Sequence, residues 1–322
     1  MAEDHPVISQ MGHRIRYVTL AATAYSGSTL FARLMNAHPH VVSVGELSNV
    51  IGRLFRTGRI QTYPCSCGVE IEQCSFWVDV QRRCAVKGMP FDLHDFGTEL
   101  DTGLGPLVNR LLFGASGALM AFQCLVNLGL TRHMATVRDC IDRALSIAEA
   151  ALAVDGAHVF VDTSKSVARV PFLLERRETD LVVVHLTRDP RGFVNSYLKH
   201  KGDEASLRKA VSYWRRTHRS AMMLGHSLGP VAYRRLQYEE LCRHPRRVFG
   251  ELFDLLGLPD VDVAEAAKSH PHHVVGNGVR LRPFDGIHFD SSWRRQLTPA
   301  QIEACMRHAG RLAAHLGYAR HP

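Results

Sequence analysis

Two stretches of the sequence combine residue types that hold anions. The first is Ser26-Gly27-Ser28-Thr29, between an apolar run and a stretch with helical periodicity. A glycine at that junction lets the backbone curl until successive N–H groups converge, and the start of the helix adds its positive end. The hydroxyls supply further donors. The plainer alternative is a small-residue turn that merely starts a helix. Laid on the pattern G-x-x-x-x-G-K-[ST], Ala22 replaces the first glycine, Gly27 and Thr29 fit, and Ser28 stands where the lysine belongs. Such a loop fits a phosphate but lacks the charge that neutralises the β- and γ-phosphates of ATP. The second stretch begins at Arg188. Asp189 is a candidate helix cap and Pro190 a candidate first helical residue, so Ser196 lies about two turns on, beside Arg188. A guanidinium and a hydroxyl so placed can share one phosphate. The plainer alternative is an Arg188–Asp189 surface ion pair.

Two further charged residues follow apolar runs: Lys165 in Asp162-Thr163-Ser164-Lys165, and Glu46 in Val44-Gly45-Glu46. Taken alone, a solvated lysine and a capping or salt-bridging glutamate are the plainer readings. Cys65, Cys67, Cys74 and Cys84 follow C-x-C-x6-C-x9-C, which is not the paired C-x2-C spacing of structural zinc sites. Buried or adventitious thiols are expected there, and no metal site is predicted. The 19 histidines form no H-E-x-x-H pattern.

These residues need a frame. Residues 15–22 predict a short buried strand, followed by the Ser-Gly loop and a helix carrying Leu30, Phe31, Leu34 and Met35. His38-Pro39 stops that helix, and a second strand is predicted at 41–44. Strand, glycine turn, helix and strand make a βαβ unit and predict a parallel sheet. Further strands are expected at 157–161 and 181–186, a short one at 231–236, and a last helix at the capping box Thr298-Pro299-Ala300-Gln301. The fold class is α/β: a P-loop-like, doubly wound parallel sheet flanked by helices. The domain reading is one unit over 1–322, with a largely helical, acceptor-side insertion at about 50–155. Ligands of such sheets bind at the carboxyl ends of the strands, where each of these polar clusters falls.

Tyr25-Ser26-Gly27-Ser28-Thr29-Leu30, then His38-Pro39, then Val44-Gly45-Glu46 resemble the 5′-phosphosulfate loop region of a known enzyme family. That family is the sulfotransferases dependent on 3′-phosphoadenosine-5′-phosphosulfate (PAPS), with the nearest look in the bacterial and tyrosylprotein/carbohydrate branch. Arg188-Asp189-Pro190-Arg191-Gly192-Phe193-Val194-Asn195-Ser196 resembles the family's 3′-phosphate motif, in which an arginine and a serine eight residues later clamp that group. Tyr238, in Tyr238-Glu239-Glu240-Leu241 before His244-Pro245, resembles the segment whose tyrosine approaches the 3′-phosphate. Arg280 and Trp293 resemble a C-terminal segment that closes over the nucleotide. The resemblance covers roughly residues 16–50 and 158–300.

What the resemblance implies is an in-line transfer of a sulfuryl group from PAPS to an acceptor hydroxyl, with 3′-phosphoadenosine-5′-phosphate (PAP) as product and no metal. Residues 25–29 would hold the 5′-phosphosulfate. Glu46 would take the acceptor proton, and Lys165 would neutralise charge on the departing oxygen. One departure matters: many relatives carry Arg or Lys where this chain has Tyr25, which donates one neutral bond and supplies no charge. Either Lys165 is then expected to carry more of the load, or the cofactor to bind more weakly. The acceptor, whether small molecule, carbohydrate, lipid or peptide, stays open, and its contacts are expected from about 50–155. Two alternatives also stay open: a P-loop kinase using Mg-ATP with Asp162 on the magnesium, and a nucleotide-binding protein without catalysis.

The chain of 322 residues is 46% hydrophobic and 22% charged, enough for a large core. Its net charge of +8 suits an anionic partner. The basic residues are scattered and no helix-turn-helix, RNP or C2H2 pattern occurs, so nucleic acid is not expected. The first residues lack a basic and apolar leader, and the eight cysteines are irregularly spaced, which predicts a cytoplasmic protein with reduced thiols. The uncharged run Leu111–Leu130 is long enough to cross a bilayer. Gln123 and Asn127 share a helical face within it and three glycines interrupt it, so buried helices beside the acceptor pocket are expected, and membrane association is not.

Overall fold

The computed structural model describes residues 14–48, 50–113, 131–202, 206–268, 273–276 and 278–318. Its sheet has five parallel strands: β1 (Ile15–Ala22), β2 (Val41–Gly45), β3 (Val159–Asp162), β4 (Thr179–Thr187) and β5 (Tyr233–Gln237). Their order across the sheet is β2-β3-β1-β4-β5. Strict alternation explains why the central strands are so apolar. Val18, Leu20 and Ala22 of β1 and Val182, Val184 and Leu186 of β4 enter one core. Tyr17, Ala21, Leu181 and Val183 enter another on the opposite face. A strand covered on both faces must be apolar at both parities, hence the continuous run in β4. β1 pairs with β4 from Ile15–Thr179 to Ala22–Leu186, and with β3 from Arg16–Val159 to Thr19–Asp162.

The topology refines the predicted βαβ unit in two ways. β2 pairs with β3 and not with β1, so the first crossover skips one strand position, which β3 fills later in the chain. The short strand expected at 231–236 starts at Tyr233, because a helix runs from Leu207 to Ala232, and it joins the same sheet beside β4.

Helices cover both faces. The helix Pro190–Lys201 starts as its sequence dictates, with Pro190 in the first turn and the Asp189 carboxylate accepting from the Arg191 N–H at 2.8 Å. The helix Pro299–His315 opens on the predicted capping box of Thr298 and Gln301. These two and Leu207–Ala232 close a third core through Phe193, Val194, Trp214, Met306 and Leu316. Between β2 and β3 run the helices Val50–Arg56, Ser75–Val86, Pro106–Phe113 and Thr131–Asp155. Trp77, Val80, Ile141 and Ala148 of this stretch pack into the core that holds Tyr17. Residues 114–130 of the long uncharged run lie outside the described residues. No described helix is long and apolar enough to cross a membrane.

Candidate active site

The loop between β1 and the helix Ser28–Asn36 (α1) is built by conformations that few residues tolerate. Gly27 caps α1 with φ 92°, and no side chain caps the helix. A Cβ on Gly27 would sit 2.5 Å from the Tyr238 ring, so the close packing of that tyrosine also demands glycine. Tyr25 (φ 60°) and Lys165 (φ 61°) are the two non-glycine residues with left-handed backbone among the described residues. Each such conformation costs about 1 kcal/mol or more and persists only where the surroundings fix it, which happens preferentially at functional sites. Ser26 departs from expectation: its hydroxyl donates to the Thr23 carbonyl at 2.8 Å and so shapes the loop. Ser28 is buried and Thr29 half-buried in the first turn of α1, whose N–H groups have no intrahelical partners.

Arg188 follows β4 and reaches back to this loop. Its Nη1 donates to the Tyr25 carbonyl at 2.7 Å and to the Ser196 hydroxyl at 3.4 Å. The predicted return of Ser196 after two turns is therefore present. The guanidinium also lies 4.6 Å from the centre of the Tyr238 ring, a cation–π contact that fixes its plane. Its carboxylate partner is not Asp189 but Asp290, at 2.8 Å from Nη2. Asp189 is engaged by Arg191 instead, at 2.6 Å. Burial pushes the Tyr238 phenol up, and its oxygen accepts from the Asp290 N–H at 3.2 Å. Burial also raises the Tyr25 phenol, so Tyr25 offers a neutral group.

Lys165, just past β3, and Glu46, just past β2, meet across the strand ends. Lys165 Nζ lies 2.6 Å from Glu46 Oε1, 3.5 Å from the Ser28 hydroxyl and 3.2 Å from the Thr163 carbonyl. Glu46 is positioned by its own backbone: its N–H donates to the Val275 carbonyl at 3.0 Å, and Val275 N–H donates to Val44 at 2.7 Å. Gly45 makes this possible, since a Cβ there would lie 2.1 Å from the Val275 oxygen. Asp162, the candidate magnesium ligand, is fully buried and already occupied. It accepts from the Tyr17 hydroxyl at 3.0 Å and the Ser164 N–H at 2.8 Å, and Arg169 Nε lies 3.7 Å away.

Arg280 is the predicted residue whose guanidinium engages a different place. It donates to the Pro64 carbonyl at 2.6 Å and lies 4.2 Å from the Tyr63 ring centre. Its own carbonyl accepts from Arg33 of α1 at 2.6 Å, which ties the segment to the helix by its backbone. Trp293 lies under Arg191, at 4.4 Å. Sequence reasoning missed Asp290 and Tyr213. The Tyr213 hydroxyl accepts from the Ala24 N–H at 3.2 Å, in the loop itself. Tyr213 lies mid-helix with ordinary neighbours, so no sequence signal marks it. Asp290, a few residues before Trp293, could have been suspected as an acidic partner for a buried arginine.

Two cavities have Tyr213 in their lining. One of about 1160 Å³ is lined by Lys165, Arg53, Arg56, Glu99, Asn109 and Phe113, among others. The other, of about 1070 Å³, lies beside Tyr25 and is lined by Lys201, Arg208, Lys209 and Arg216. The strand ends thus carry a charged cleft with one carboxylate–ammonium pair and one arginine–hydroxyl pair.

Comparison with known proteins finds similarity to one enzyme family over part of the chain. The sulfotransferase family model matches residues 131–262. A solved sulfotransferase domain from the curacin biosynthetic pathway is 15% identical, covers 96% of this chain and 99% of its own, and has a TM-score of 0.53. The sulfotransferase domain of the olefin synthase of Synechococcus PCC 7002 is 20% identical over 97% of this chain and 98% of its own, with a TM-score of 0.46. No curated protein matches the chain. The matched segment 131–262 is the one that supplies Lys165, Arg188, Ser196 and Tyr238, and over that segment the chain is similar to the sulfotransferase family.

Proposed function

We propose that this protein is a sulfotransferase that takes its sulfuryl group from PAPS and delivers it to a hydroxyl-bearing acceptor bound in the cavity beside Lys165. The observation that carries the reading is the Lys165–Glu46 pair, 2.6 Å apart, with Lys165 Nζ 3.5 Å from the Ser28 hydroxyl. An acid–base partner and a cation for the leaving group stand together at the mouth of an anion loop. The first-turn N–H groups of α1 and Ser28 would hold the 5′-phosphosulfate, and Arg188 with Ser196 the 3′-phosphate. The charge missing at Tyr25 would come from Lys165 and from the cationic lining of the cavity next to Tyr25.

In the transfer, the acceptor oxygen bonds to sulfur while the bond from sulfur to the bridging phosphate oxygen breaks. Glu46 receives the acceptor proton, and Lys165 turns from Glu46 to the negative charge left on the phosphate. Such a reaction depends on positioning and electrostatics more than on covalent participation by the protein. A Mg-ATP kinase is disfavoured because Ser28 replaces the phosphate-loop lysine and Asp162 is spent on Tyr17, Ser164 and Arg169. Among the described residues the cavity lining combines charged and amide groups, Arg53, Arg56, Glu99, Asp101 and Asn109, with apolar ones, Leu100, Phe113, Val167 and Ala168, so the kind of hydroxyl acceptor is left to the assay. The test is PAP release from PAPS in the presence of sugar, phenol, peptide and lipid alcohols. Lys165→Met should abolish acceptor-dependent release while retaining PAP binding. Undiminished release by that variant would remove Lys165 from the chemistry.

A further inference from the structure

We propose that Cys65, Cys67, Cys74 and His273 form a tetrahedral zinc site that staples the 273–276 segment to the loop after the helix Val50–Arg56. Their ligand atoms all lie within 4.8 Å of one another. Cys67 Sγ is 3.6 Å from Cys74 Sγ, and His273 Nδ1 is 3.6 Å from Cys65 Sγ and 3.3 Å from Cys74 Sγ. A tetrahedral zinc with Zn–S of about 2.3 Å and Zn–N of about 2.0 Å requires S–S edges of about 3.8 Å and S–N edges of about 3.5 Å. Three thiols and one imidazole at these separations match that donor set, and soft thiolate-rich tetrahedra select zinc over the hard cations. A Cys67–Cys74 disulfide is the competing chemistry, but the sulfurs are not at bonding distance.

The surroundings are those of a built site. Cys65 and Cys74 are buried. The Cys65 N–H donates to the Val69 carbonyl at 2.7 Å and the Gly68 N–H to the Cys65 carbonyl at 3.0 Å, a tight turn that aims two thiols the same way. The His273 ring stacks on Phe76, 4.4 Å between centres and 2° from parallel. Ser66 accepts from the Val274 N–H at 2.8 Å. Cys84, the fourth thiol of the sequence pattern, lies elsewhere, with its sulfur 3.5 Å from the Ser146 carbonyl. The missing ligand comes instead from a residue 199 positions away from Cys74. Such a staple holds Val275, the backbone partner of Val44 and Glu46, within two residues of the metal. The site therefore has a positioning role toward the strand end, and its existence does not depend on the assignment of Glu46 as base.

Protein purified without chelator, with thiols reduced, should carry one zinc per chain by elemental mass spectrometry. Exchange with Co(II) should give the visible d–d bands and thiolate charge transfer of a tetrahedral sulfur-rich site. Cys67→Ser, at the exposed ligand, and His273→Ala should each weaken metal retention by at least about tenfold against a competing chelator. Wild-type protein with less than a tenth of an equivalent of zinc and no Co(II) uptake overturns the proposal. So does an intact mass two hydrogens short with Cys67 and Cys74 joined in one cross-linked peptide.

Discussion

Asp290→Asn should tighten PAP binding, which is unusual for a substitution inside a binding cleft. Arg188 is almost enclosed, its side chain 7% exposed, while Asp290 is 41% exposed. Nη1 is committed to the Tyr25 carbonyl and Ser196, whereas Nη2 is held by Asp290 at 2.8 Å. A 3′-phosphate on Arg188 must take Nη2 from that carboxylate and sit near its negative charge. A charge-assisted bond of this kind contributes about 1.5–3 kcal/mol when buried and about 0–1 when exposed, so the half-open Asp290 is worth about 1 kcal/mol. Relief of repulsion between carboxylate and phosphate adds a comparable amount. The sum, about 1–2 kcal/mol, predicts roughly five- to thirtyfold tighter binding. Asparagine keeps the oxygen that accepts from the Ser292 N–H at 3.0 Å, so the local turn should survive. The assay is calorimetric titration of PAP into wild type, Asp290→Asn, Arg188→Ala and the double variant. The Asp290→Asn gain should vanish in the Arg188→Ala background, which itself should lose about 2–5 kcal/mol. Equal or weaker binding by Asp290→Asn would refute the reasoning, because Asp290 would then be supporting Arg188 and not competing for it.

Glu46→Gln should leave PAP affinity nearly unchanged and lower kcat by roughly 10²–10⁴-fold, the span for losing a general base; near-normal turnover at saturating acceptor would assign the proton to another group. Gly27→Ala combines φ 92° with a Cβ 2.5 Å from the Tyr238 ring, so it should cost about 1–3 kcal/mol of stability by urea unfolding, and an unchanged midpoint would contradict the packing argument. His185 and His218 form a buried pair, 2.8 Å between nitrogens, with the Tyr233 hydroxyl 2.6 Å from His185. Burial lowers both, His218 to about 3, whereas the unfolded chain titrates near 6.5. The unfolded state thus binds the protons first, and stability should fall as pH drops below about 6.5, by about 2–3 kcal/mol at pH 5.5 for the pair. His218→Gln should flatten that slope in urea titrations between pH 7.5 and 5.5; a slope as steep as wild type would exonerate the pair.

The parts of the site legible in the sequence are those that a strand end or one helix positions. Ser26–Thr29 and Arg188–Ser196 each lie within one short stretch, so local geometry places them. Ser196 returns to Arg188 because helical periodicity requires it. Lys165 and Glu46 meet because parallel strands bring their carboxyl ends to one edge. That they meet directly was not legible, since it depends on β3 lying beside β2 and displacing it from β1. Groups brought in from distant chain were also hidden. Asp290 reaches Arg188, and His273 reaches Cys74, by tertiary packing that leaves no spacing pattern. The same limit explains Arg280, whose segment does return to α1 while its guanidinium is captured by Pro64 and Tyr63.

The central claim is that the anion loop and Arg188 together hold a 3′-phosphorylated adenosine nucleotide. Paired calorimetric titrations of the wild-type protein with PAP and with Mg-ATP test it most directly. On the proposed reading, Arg188 and Ser196 take a phosphate on the ribose, and Ser28 stands where a triphosphate loop would carry its lysine. PAP should therefore bind with a submicromolar Kd, and Mg-ATP should give no saturable heat at concentrations a hundredfold higher. Tighter binding of Mg-ATP than of PAP would contradict the account and return the site to a nucleoside triphosphate.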